Sequence, residues 1–321
     1  MKAVVLAGGY ATRLWPITKN RPKMMLPLGD TLVIDRIFSE LEADDRISEV
    51  YVSTNERFAR TLEAHIASSP FEKPRLSVEP TTTEDEKRGV VWALSELVDR
   101  EAITEDLVVV AGDNLLSFDL GQFIDVFQGY GAPTLAAYDV GSREKATSYG
   151  LVTLEDDRVV DFQEKPDDPQ STLVSIACYG LPAPTLDKLD TYLAAGNNPD
   201  EPGYFIDWLH TRTPVYGYRF DGAWFDIGTP ESYLEAIEWI LEGDAHLEPT
   251  AETVDCSLGD NVHVMGGAEL RNVDIDSAVV FPETEIADCA VSNSIIDRST
   301  QIVGVDLEDA VISAHSQLIQ G

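Results

Sequence analysis

Hydrophobic residues in the first 140 positions alternate between short continuous runs and a helical spacing. Ala3–Leu6 is apolar throughout and Asp106–Ala111 is apolar after its first residue, as is typical of strands buried on both faces of a parallel sheet. Thr31–Ala43 instead has apolar residues at the i, i+3, i+4 and i+7 spacing of an amphipathic helix. This alternation predicts an α/β fold, with a mostly parallel, Rossmann-like sheet covered by helices. The predicted elements are strands at Ala3–Leu6, Glu49–Ser53, Arg75–Glu79, Asp106–Ala111 and Thr134–Val140, and helices at Thr31–Ala43, Asn55–Ala67, Lys87–Val98 and Asp119–Phe127.

The pattern changes after Val140. Three short apolar segments separated by turn residues predict antiparallel strands at Tyr149–Leu154, Val159–Gln163 and Leu173–Tyr179. Helical spacing returns near residues 184–195, 203–211 and 231–242, with a further strand predicted at 215–220.

A third pattern begins near residue 250, where helical spacing disappears. Several apolar pairs fall six residues apart, among them Val264 with Leu270 and Ile296 with Ile302. A six-residue period is typical of a left-handed parallel β-helix, and a plain β extension is the alternative. We expect a catalytic domain at 1–245 and a short β-helix at 250–321. Because so short a β-helix exposes its end coil, we expect it to pack on a neighbouring molecule or on the core, and a homo-oligomer is expected.

Charge narrows the range of ligands. The 321 residues include 57 acidic and 23 basic ones, a formal net charge of −34 that is spread along the chain. Such a surface is typical of a salt-adapted, halophilic protein, and an acidic protein from ordinary ionic strength is the alternative. It argues against nucleic acid or an anionic membrane as a partner. A phosphate ligand would need a few local positive groups.

Cysteine, histidine and the chain's start favour an intracellular protein. Cys178, Cys256 and Cys289 are widely spaced, and the five histidines have no metal-ligand spacing. No apolar run approaches the length of a membrane-spanning helix. The chain begins in a strand, without a signal-peptide pattern, so a cytoplasmic location is expected.

A glycine turn follows the first predicted strand. In a parallel sheet this turn lies at the carboxyl edge, where ligands bind. Gly8 and Gly9 lack a Cβ, so their backbone N–H groups can approach an anion closely. Arg13 can donate two parallel hydrogen bonds to a phosphate, and Lys23 supplies a single ammonium group. The segment thus favours phosphate binding, although a glycine pair alone is more often only a turn.

The whole segment LAGGYATRLWPITKNRPKMMLPL closely resembles the signature of the sugar-phosphate nucleotidyltransferases, or nucleotide-sugar pyrophosphorylases. That signature is LAGG-x-G-T-R-L-x-P-x-T, followed by PK, and this chain departs from it at Ala11, where glycine is usual. The resemblance extends over roughly residues 1–245 and implies a sheet of the nucleotide-diphospho-sugar transferase type. It implies that Leu6, Ala7, Gly8 and Gly9 bind a nucleotide and that Arg13 and Lys23 are catalytic.

Further motifs carry the same resemblance. AGDN and W-F-D-I-G-T-P match segments whose aspartates ligate Mg²⁺, which implies Asp113 and Asp226 as metal ligands. EKP and YG match segments that bind the sugar phosphate, which implies roles for Gly150, Glu164 and Lys165. Each residue has an ordinary alternative. Asp113 can simply end a strand, Asp226 can cap a helix, and Lys165 can be a solvated loop residue.

The implied reaction joins a nucleoside triphosphate to a sugar 1-phosphate and releases pyrophosphate. The phosphate oxygen is already ionised, so neither a protein nucleophile nor a general base is required. Catalysis then rests on positioning and charge neutralisation by Mg²⁺, Arg13, Lys23 and Lys165. In an acidic chain, these local cations have to build the phosphate site.

The base-binding segment departs from the resemblance. Many members carry a glutamine five residues before a glycine turn, whereas VEPTTTEDEKRGVVWAL has no glutamine. Gly89 keeps the turn, and the acidic candidates are Glu79 and Glu84, which as carboxylates only accept hydrogen bonds. A solvated acidic loop is the alternative. dTTP or UTP is expected first and GTP second.

The sugar segment departs as well, because Ala177 stands where a glycine is frequent. Glucose 1-phosphate is the default, so the expected enzyme is a glucose-1-phosphate thymidylyl- or uridylyltransferase. The alternatives are a mannose-1-phosphate guanylyltransferase and a non-catalytic regulatory paralogue that binds nucleotide-sugar. The tail of about 70 residues is too short for the acetyltransferase β-helix of bifunctional members, and a Rossmann dehydrogenase would need a glycine fingerprint that is missing.

Overall fold

The structure is a computed structural model that describes residues 1–320, with elements numbered here in chain order. The α-helices are α1 Val33–Ala43, α2 Glu56–Ser68, α3 Val90–Arg100, α4 Leu120–Tyr130, α5 Arg143–Ala146, α6 Ala183–Ala194, α7 Pro202–His210 and α8 Pro230–Leu241. The strands up to the last helix are β1 Lys2–Leu6, β2 Pro27–Leu28, β3 Thr31–Leu32, β4 Glu49–Asn55, β5 Pro74–Glu79, β6 Leu107–Ala111, β7 Asn114–Leu116, β8 Thr134–Asp139, β9 Gly150–Glu155, β10 Arg158–Glu164, β11 Leu173–Leu181, β12 Tyr216–Arg219 and β13 Trp224–Asp226. The later strands are β14 Ala245–Leu247, β15 Glu252–Val254, β16 Ser257–Leu258, β17 Val262–Val264, β18 Glu269–Val280, β19 Glu285–Ile296, β20 Gln301–Val303, β21 Leu307–Glu308, β22 Val311–Ile312 and β23 Gln317–Ile319.

The chain forms two compact units, each assembled from separate stretches of sequence. The first consists of Met1–Gly9 and Ile34–Trp224, and the second of Tyr10–Val33 and the chain from Phe225 onward. The signature segment is therefore divided after its second glycine. The division expected from the sequence, a catalytic domain at 1–245 and a β-helix at 250–321, stays a prediction.

The first unit is built on one sheet in the order β5-β4-β1-β6-β11-β8-β12-β10-β9. Strands β5, β4, β1 and β6 are parallel, and β11 joins them antiparallel to β6. Strands β9 and β10 form an antiparallel pair, as the sequence predicts. The α/β class and the parallel half are confirmed. The parallel strands all end at one edge, which is where the candidate ligand-binding turns follow.

The helix starts depend on local capping in one case and on a tertiary contact in another. Asn55 caps α2 as predicted, since its side chain accepts a hydrogen bond from the Phe58 N–H group at 3.1 Å. The helix predicted from Lys87 begins instead at Val90. Gly89 precedes it with φ +99°, and a Cβ there would lie 2.2 Å from the Pro199 carbonyl oxygen. Close backbone approach therefore requires this glycine, whatever its predicted part in nucleotide binding.

In the second unit, the chain returns to parallel register every 16 or 17 residues. Leu270 pairs with Ile286 and Ile302 with Leu318, while Ala245 pairs with Val262. Apolar residues six apart both point inward: Val264 and Leu270 are fully buried. Parallel stacking of this kind is what a β-helix requires, and the left-handed β-helix itself stays a prediction.

Within residues 1–320, no helix has the length and apolar character that crossing a membrane would require.

Candidate functional site

The glycine turn lies at the carboxyl edge of the first unit's sheet. Strand β1 ends at Leu6, which is paired with Ser53 on one side and Ala111 on the other. Beyond that end, the Ala7 N–H group donates to the Ser53 carbonyl at 2.7 Å. The Gly8 carbonyl accepts a hydrogen bond from the Asn55 side chain at 3.0 Å. The residue that caps α2 thus also fixes the start of the turn, a double role that the sequence did not show.

Asp113 follows β6 at the same edge and is half-buried. The Gly112 N–H group donates to the Leu6 carbonyl at 2.9 Å, which places this turn directly beside the end of β1. Its neighbour Asn114 is buried and accepts a hydrogen bond from the Trp224 indole at 3.2 Å. The edge position predicted for Asp113 is therefore present, and Asn114 anchors the turn behind it.

Of the two acidic base-binding candidates, Glu79 lies beside the glycine turn. Glu79 is 8% exposed, and its carboxyl accepts a hydrogen bond from the Ser53 hydroxyl at 3.3 Å and lies 3.6 Å from where a Cβ of Gly8 would be. Burial raises the pKa of Glu79 above its ordinary value. Glu84 instead lies in an exposed turn, with its carboxylate 3.9 Å from the Lys87 ammonium group.

The sugar-phosphate candidates meet at the end of β10. A Cβ on Gly203 would lie 1.6 Å from the Glu164 carboxylate, and one on Gly150 would lie 2.9 Å from it. These two glycines leave the space that Glu164 occupies. Burial, and next the charge of Glu201, raise the pKa of Glu164 to about 7. Glycine is therefore required at Gly150 of the YG motif because a Cβ would collide with Glu164. Gly203 is a second neighbour of Glu164, which the sequence analysis missed.

Lys165 is ion-paired to Glu201, the residue before α7. Both side chains are partly exposed, and Lys165 has φ +48°, which turns the chain sharply after Glu164. The sequence analysis did not identify Glu201. An acid directly before the Pro-Gly start of a helix is the signal that marks it, since such positions favour negative charge.

The catalytic candidates of the second unit surround the beginning of α8. The Lys23 ammonium group lies 3.9 Å from the Asp226 carboxylate. A Cβ on Gly228 would lie 3.1 Å from the Arg13 guanidinium and 3.7 Å from the Asp226 carboxylate. The cap of α8 is Thr229, whose side chain accepts a hydrogen bond from the Ser232 N–H group, so the helix-capping alternative for Asp226 is wrong.

Two alanines stand where the resembled family frequently has glycine, one in the signature and one in the sugar segment, and both have a left-handed backbone. Ala11 has φ +48° and Ala177 has φ +53°. Glycine adopts this conformation without a Cβ penalty, which explains physically why glycine is usual at both positions.

Among residues 1–320, no group of three or more His, Cys, Asp and Glu side chains is arranged to hold a metal ion. Protein carboxylates that bind Mg²⁺ together with substrate phosphates are commonly only one or two.

Comparison with known proteins identifies the family. The family model named nucleotidyl transferase matches residues 2–243. A Sulfolobus acidocaldarius protein with the provisional name mannose-1-phosphate guanyltransferase is 28% identical over 283 residues, covering 85% of this chain and 75% of the relative. The glucose-1-phosphate adenylyltransferase of Mycoplasma mobile is 30% identical over 265 residues, covering 77% and 69%. The chain spans 55% of the longer bifunctional GlmU proteins that it also matches.

A solved structure of UDP-glucose pyrophosphorylase complexed with UDP-glucose gives a TM-score of 0.62 at 26% identity, covering 73% of this chain and 96% of that one. The chain therefore belongs to the nucleotidyl transferase family. The predicted resemblance to sugar-phosphate nucleotidyltransferases is confirmed, and so is the prediction that the chain is an enzyme of this class.

Proposed function

We propose that this enzyme joins a nucleoside triphosphate to a sugar 1-phosphate, giving a nucleotide-sugar and pyrophosphate. The observation that carries the proposal is the pair formed by Glu164 and Lys165. Glu164 is set between Gly150 and Gly203, and the adjacent Lys165 is partly exposed. A carboxylate that accepts from sugar hydroxyls, next to an ammonium group that attracts phosphate, is complementary to a sugar 1-phosphate.

In the proposed reaction an oxygen of the sugar 1-phosphate attacks the α-phosphorus in line. A phosphorus–oxygen bond to pyrophosphate breaks, and pyrophosphate leaves with the electron pair of that bond. The attacking phosphate is ionised, so no proton has to be removed. Lys165 holds the sugar phosphate, while Arg13 and Lys23 neutralise phosphate charge.

Asp113 and Asp226 are the proposed ligands of Mg²⁺. Both side chains are half-buried carboxylates, the hard oxygen donors that Mg²⁺ prefers, so the donor chemistry fits this ion. When bound, the ion supplies positive charge to phosphate oxygens. The Lys23 ammonium group lies 3.9 Å from the Asp226 carboxylate, so the proposed phosphate-binding cation and the proposed metal ligand are neighbours.

Glu79 supports GTP as the nucleotide. An ionised carboxylate accepts two hydrogen bonds, and guanine offers two adjacent donors, N1–H and N2–H, whereas uracil and thymine offer one, N3–H. The relative with the provisional name mannose-1-phosphate guanyltransferase points to the same base and to mannose 1-phosphate as the sugar. This puts GTP before dTTP and UTP, the reverse of the order expected from the sequence.

The second candidate is a uridylyl- or thymidylyltransferase acting on glucose 1-phosphate. It is favoured by the likeness to UDP-glucose pyrophosphorylase. Uracil and thymine offer the single donor N3–H, which one carboxylate oxygen of Glu79 can accept.

The test is pyrophosphate release with Mg²⁺ in concentrated KCl, crossing five nucleoside triphosphates with glucose 1-phosphate and mannose 1-phosphate. GTP turnover that Glu79→Gln weakens supports the first candidate. UTP or dTTP turnover that Glu79→Gln preserves supports the second. Glu84→Gln is the matched control, since Glu84 lies in the exposed turn. Nucleotide-sugar binding without release from any pair, by folded protein, would support the regulatory paralogue instead.

A further inference from the structure

The segment that carries Arg13 and Lys23 belongs to the second compact unit, together with the C-terminal parallel coils. One side chain links the two directly. The Arg21 guanidinium lies 3.1 Å from the carboxylate of Asp297, a residue that follows β19 and is 276 positions further along the chain. The same guanidinium lies 4.4 Å above the Phe281 ring.

Burial distinguishes this contact from a surface ion pair. The Asp297 side chain is 7% exposed and that of Arg21 is 20% exposed. Phe281 is buried in the coil, and the Arg21 Nη1 atom is also buried. Ion pairs at exposed positions contribute little to folding stability. Removing one partner of a buried pair is strongly destabilising, because it leaves the other charge buried and uncompensated.

The coil holds Asp297 in a fixed position. The Asp297 N–H group donates to the Ile312 carbonyl at 3.0 Å, and its own carbonyl accepts from the Thr284 hydroxyl at 3.2 Å. Its carboxylate also accepts from the Arg298 N–H group at 2.8 Å. Thr284 and Ile312 belong to the neighbouring coils, so the acceptor presented to Arg21 is held by hydrogen bonds from both sides.

On the other side, short turns connect Arg21 to the candidate catalytic cations. Arg21 is two positions before Lys23. The Thr18 carbonyl accepts from the Arg21 N–H group at 3.5 Å, and the Thr18 hydroxyl donates to the Ala11 carbonyl at 2.8 Å. Ala11 in turn accepts from the Leu14 N–H group at 3.0 Å, closing the turn that carries Arg13. A shift of Arg21 would therefore be transmitted to both cations.

We propose that Arg21 is a positioning residue through which the C-terminal coils, by way of Asp297 and Phe281, hold the phosphate-binding segment in its active conformation. This gives the coils a role in the reaction itself. The inference rests on the proposed function for its kinetic part. The coupling between coil and segment has a separate physical readout.

The experiment compares the full chain with Arg21→Gln, Asp297→Asn and the conservative Arg21→Lys. Arg271→Gln is the matched control, because Arg271 pairs with Glu269 on the exposed surface of the same coils at 2.7 Å. Amide hydrogen exchange of residues 10–26 is measured first. We expect faster exchange there in Arg21→Gln and Asp297→Asn, partial protection in Arg21→Lys, and no change in the control.

Kinetics on the same proteins use the substrate pair that the wild type turns over. We expect roughly a 10- to 100-fold loss of kcat/KM for the nucleoside triphosphate, with the KM for sugar 1-phosphate changed much less. A merely structural role would instead speed exchange throughout the coils and leave kcat/KM unchanged below the unfolding temperature, and this outcome overturns the inference. Unchanged exchange at residues 10–26 in both variants overturns it as well. If the wild type is inactive with every substrate pair while both variants exchange faster at residues 10–26, the proposed function is refuted and the coupling stands.

Discussion

The Nζ atom of Lys23 lies 3.9 Å from the Oδ1 atom of Asp226, although 203 positions separate them in the sequence. A proposed phosphate-binding cation and a proposed metal ligand are therefore ion-paired. A bound substrate phosphate would replace Asp226 as the negative partner of Lys23. A bound metal ion would replace Lys23 as the positive partner of Asp226. The pair holds both side chains ready for the reaction.

Removing either partner should lower turnover strongly. We expect Lys23→Ala or Asp226→Asn to reduce kcat by roughly 100-fold or more, because groups that stabilise transition-state charge have effects of this size. Steady-state pyrophosphate release measures the loss. Lys19→Ala and Asp221→Asn, at exposed positions nearby in sequence, are the matched controls. Near-wild-type rates in Lys23→Ala or Asp226→Asn would refute the assigned roles.

Glu201 should weaken sugar-phosphate binding, because its carboxylate is ion-paired with Lys165 and so competes with the phosphate. It also adds negative charge near Glu164. We expect Glu201→Gln to lower the KM for sugar 1-phosphate about 3- to 10-fold, as expected for removing a like charge from a phosphate site. It should also lower the pKa of Glu164, which shifts any pH dependence of that KM to lower pH. Asp207→Asn, a more weakly acting neighbour of Glu164, is the control and should have a smaller effect. A raised KM in Glu201→Gln would contradict this role.

Glu164 should make folding stability depend on pH. Its pKa is raised to about 7 in the folded chain, so the folded state holds a proton that the unfolded state releases. This contribution to stability is present at low pH and is lost as the pH rises through about 7. We expect Glu164→Gln to flatten the dependence of the unfolding midpoint between about pH 5 and pH 8, measured by denaturant titration. Glu155→Gln, at an exposed strand end, is the control and should keep the wild-type slope. A wild-type slope in Glu164→Gln would contradict the raised pKa of Glu164.

Replacing Ala11 or Ala177 by glycine should make the folded chain more stable. Since both have positive φ, Ala11→Gly and Ala177→Gly should each stabilise the fold by about 1 kcal/mol, less the extra freedom of glycine in the unfolded chain. Thermal unfolding measures the change. Ala194→Gly, in the last position of α6, is the control and should destabilise by about 0.5–1 kcal/mol. Destabilisation by all three substitutions would show that the two backbones do not need glycine.

Salt should stabilise the folded chain. The formal net charge of −34 repels itself, and the screening length falls from about 10 Å at 0.1 M salt to about 3 Å at 1 M. We expect the unfolding temperature to rise steadily with KCl over this range, as salt adaptation predicts. Sucrose of equal osmolality separates screening from solute exclusion. A midpoint that is independent of KCl would favour the acidic protein of ordinary ionic strength.

Much of this molecule could be predicted from local pattern. The parallel strands, the Asn55 cap and the edge positions of Gly8 and Asp113 depend on apolar period and on where strands end, which neighbouring residues encode. The motifs likewise indicated the family, because glycine, arginine and lysine at fixed spacing express one local backbone. The period of the tail predicted parallel stacking, although the coils repeat every 16 or 17 residues.

Only the tertiary structure decided which distant side chains share a site. Glu201 beside Lys165, Gly203 beside Glu164 and Asp297 beside Arg21 are contacts between segments that no local pattern connects. The start of α3 was missed for the same reason, since Gly89 is required by its approach to the backbone of Pro199. The spacing of apolar residues indicates which face of a segment is buried. Charge pairing and close backbone approach depend on what the fold brings opposite that segment, and no local pattern in the sequence identifies that partner.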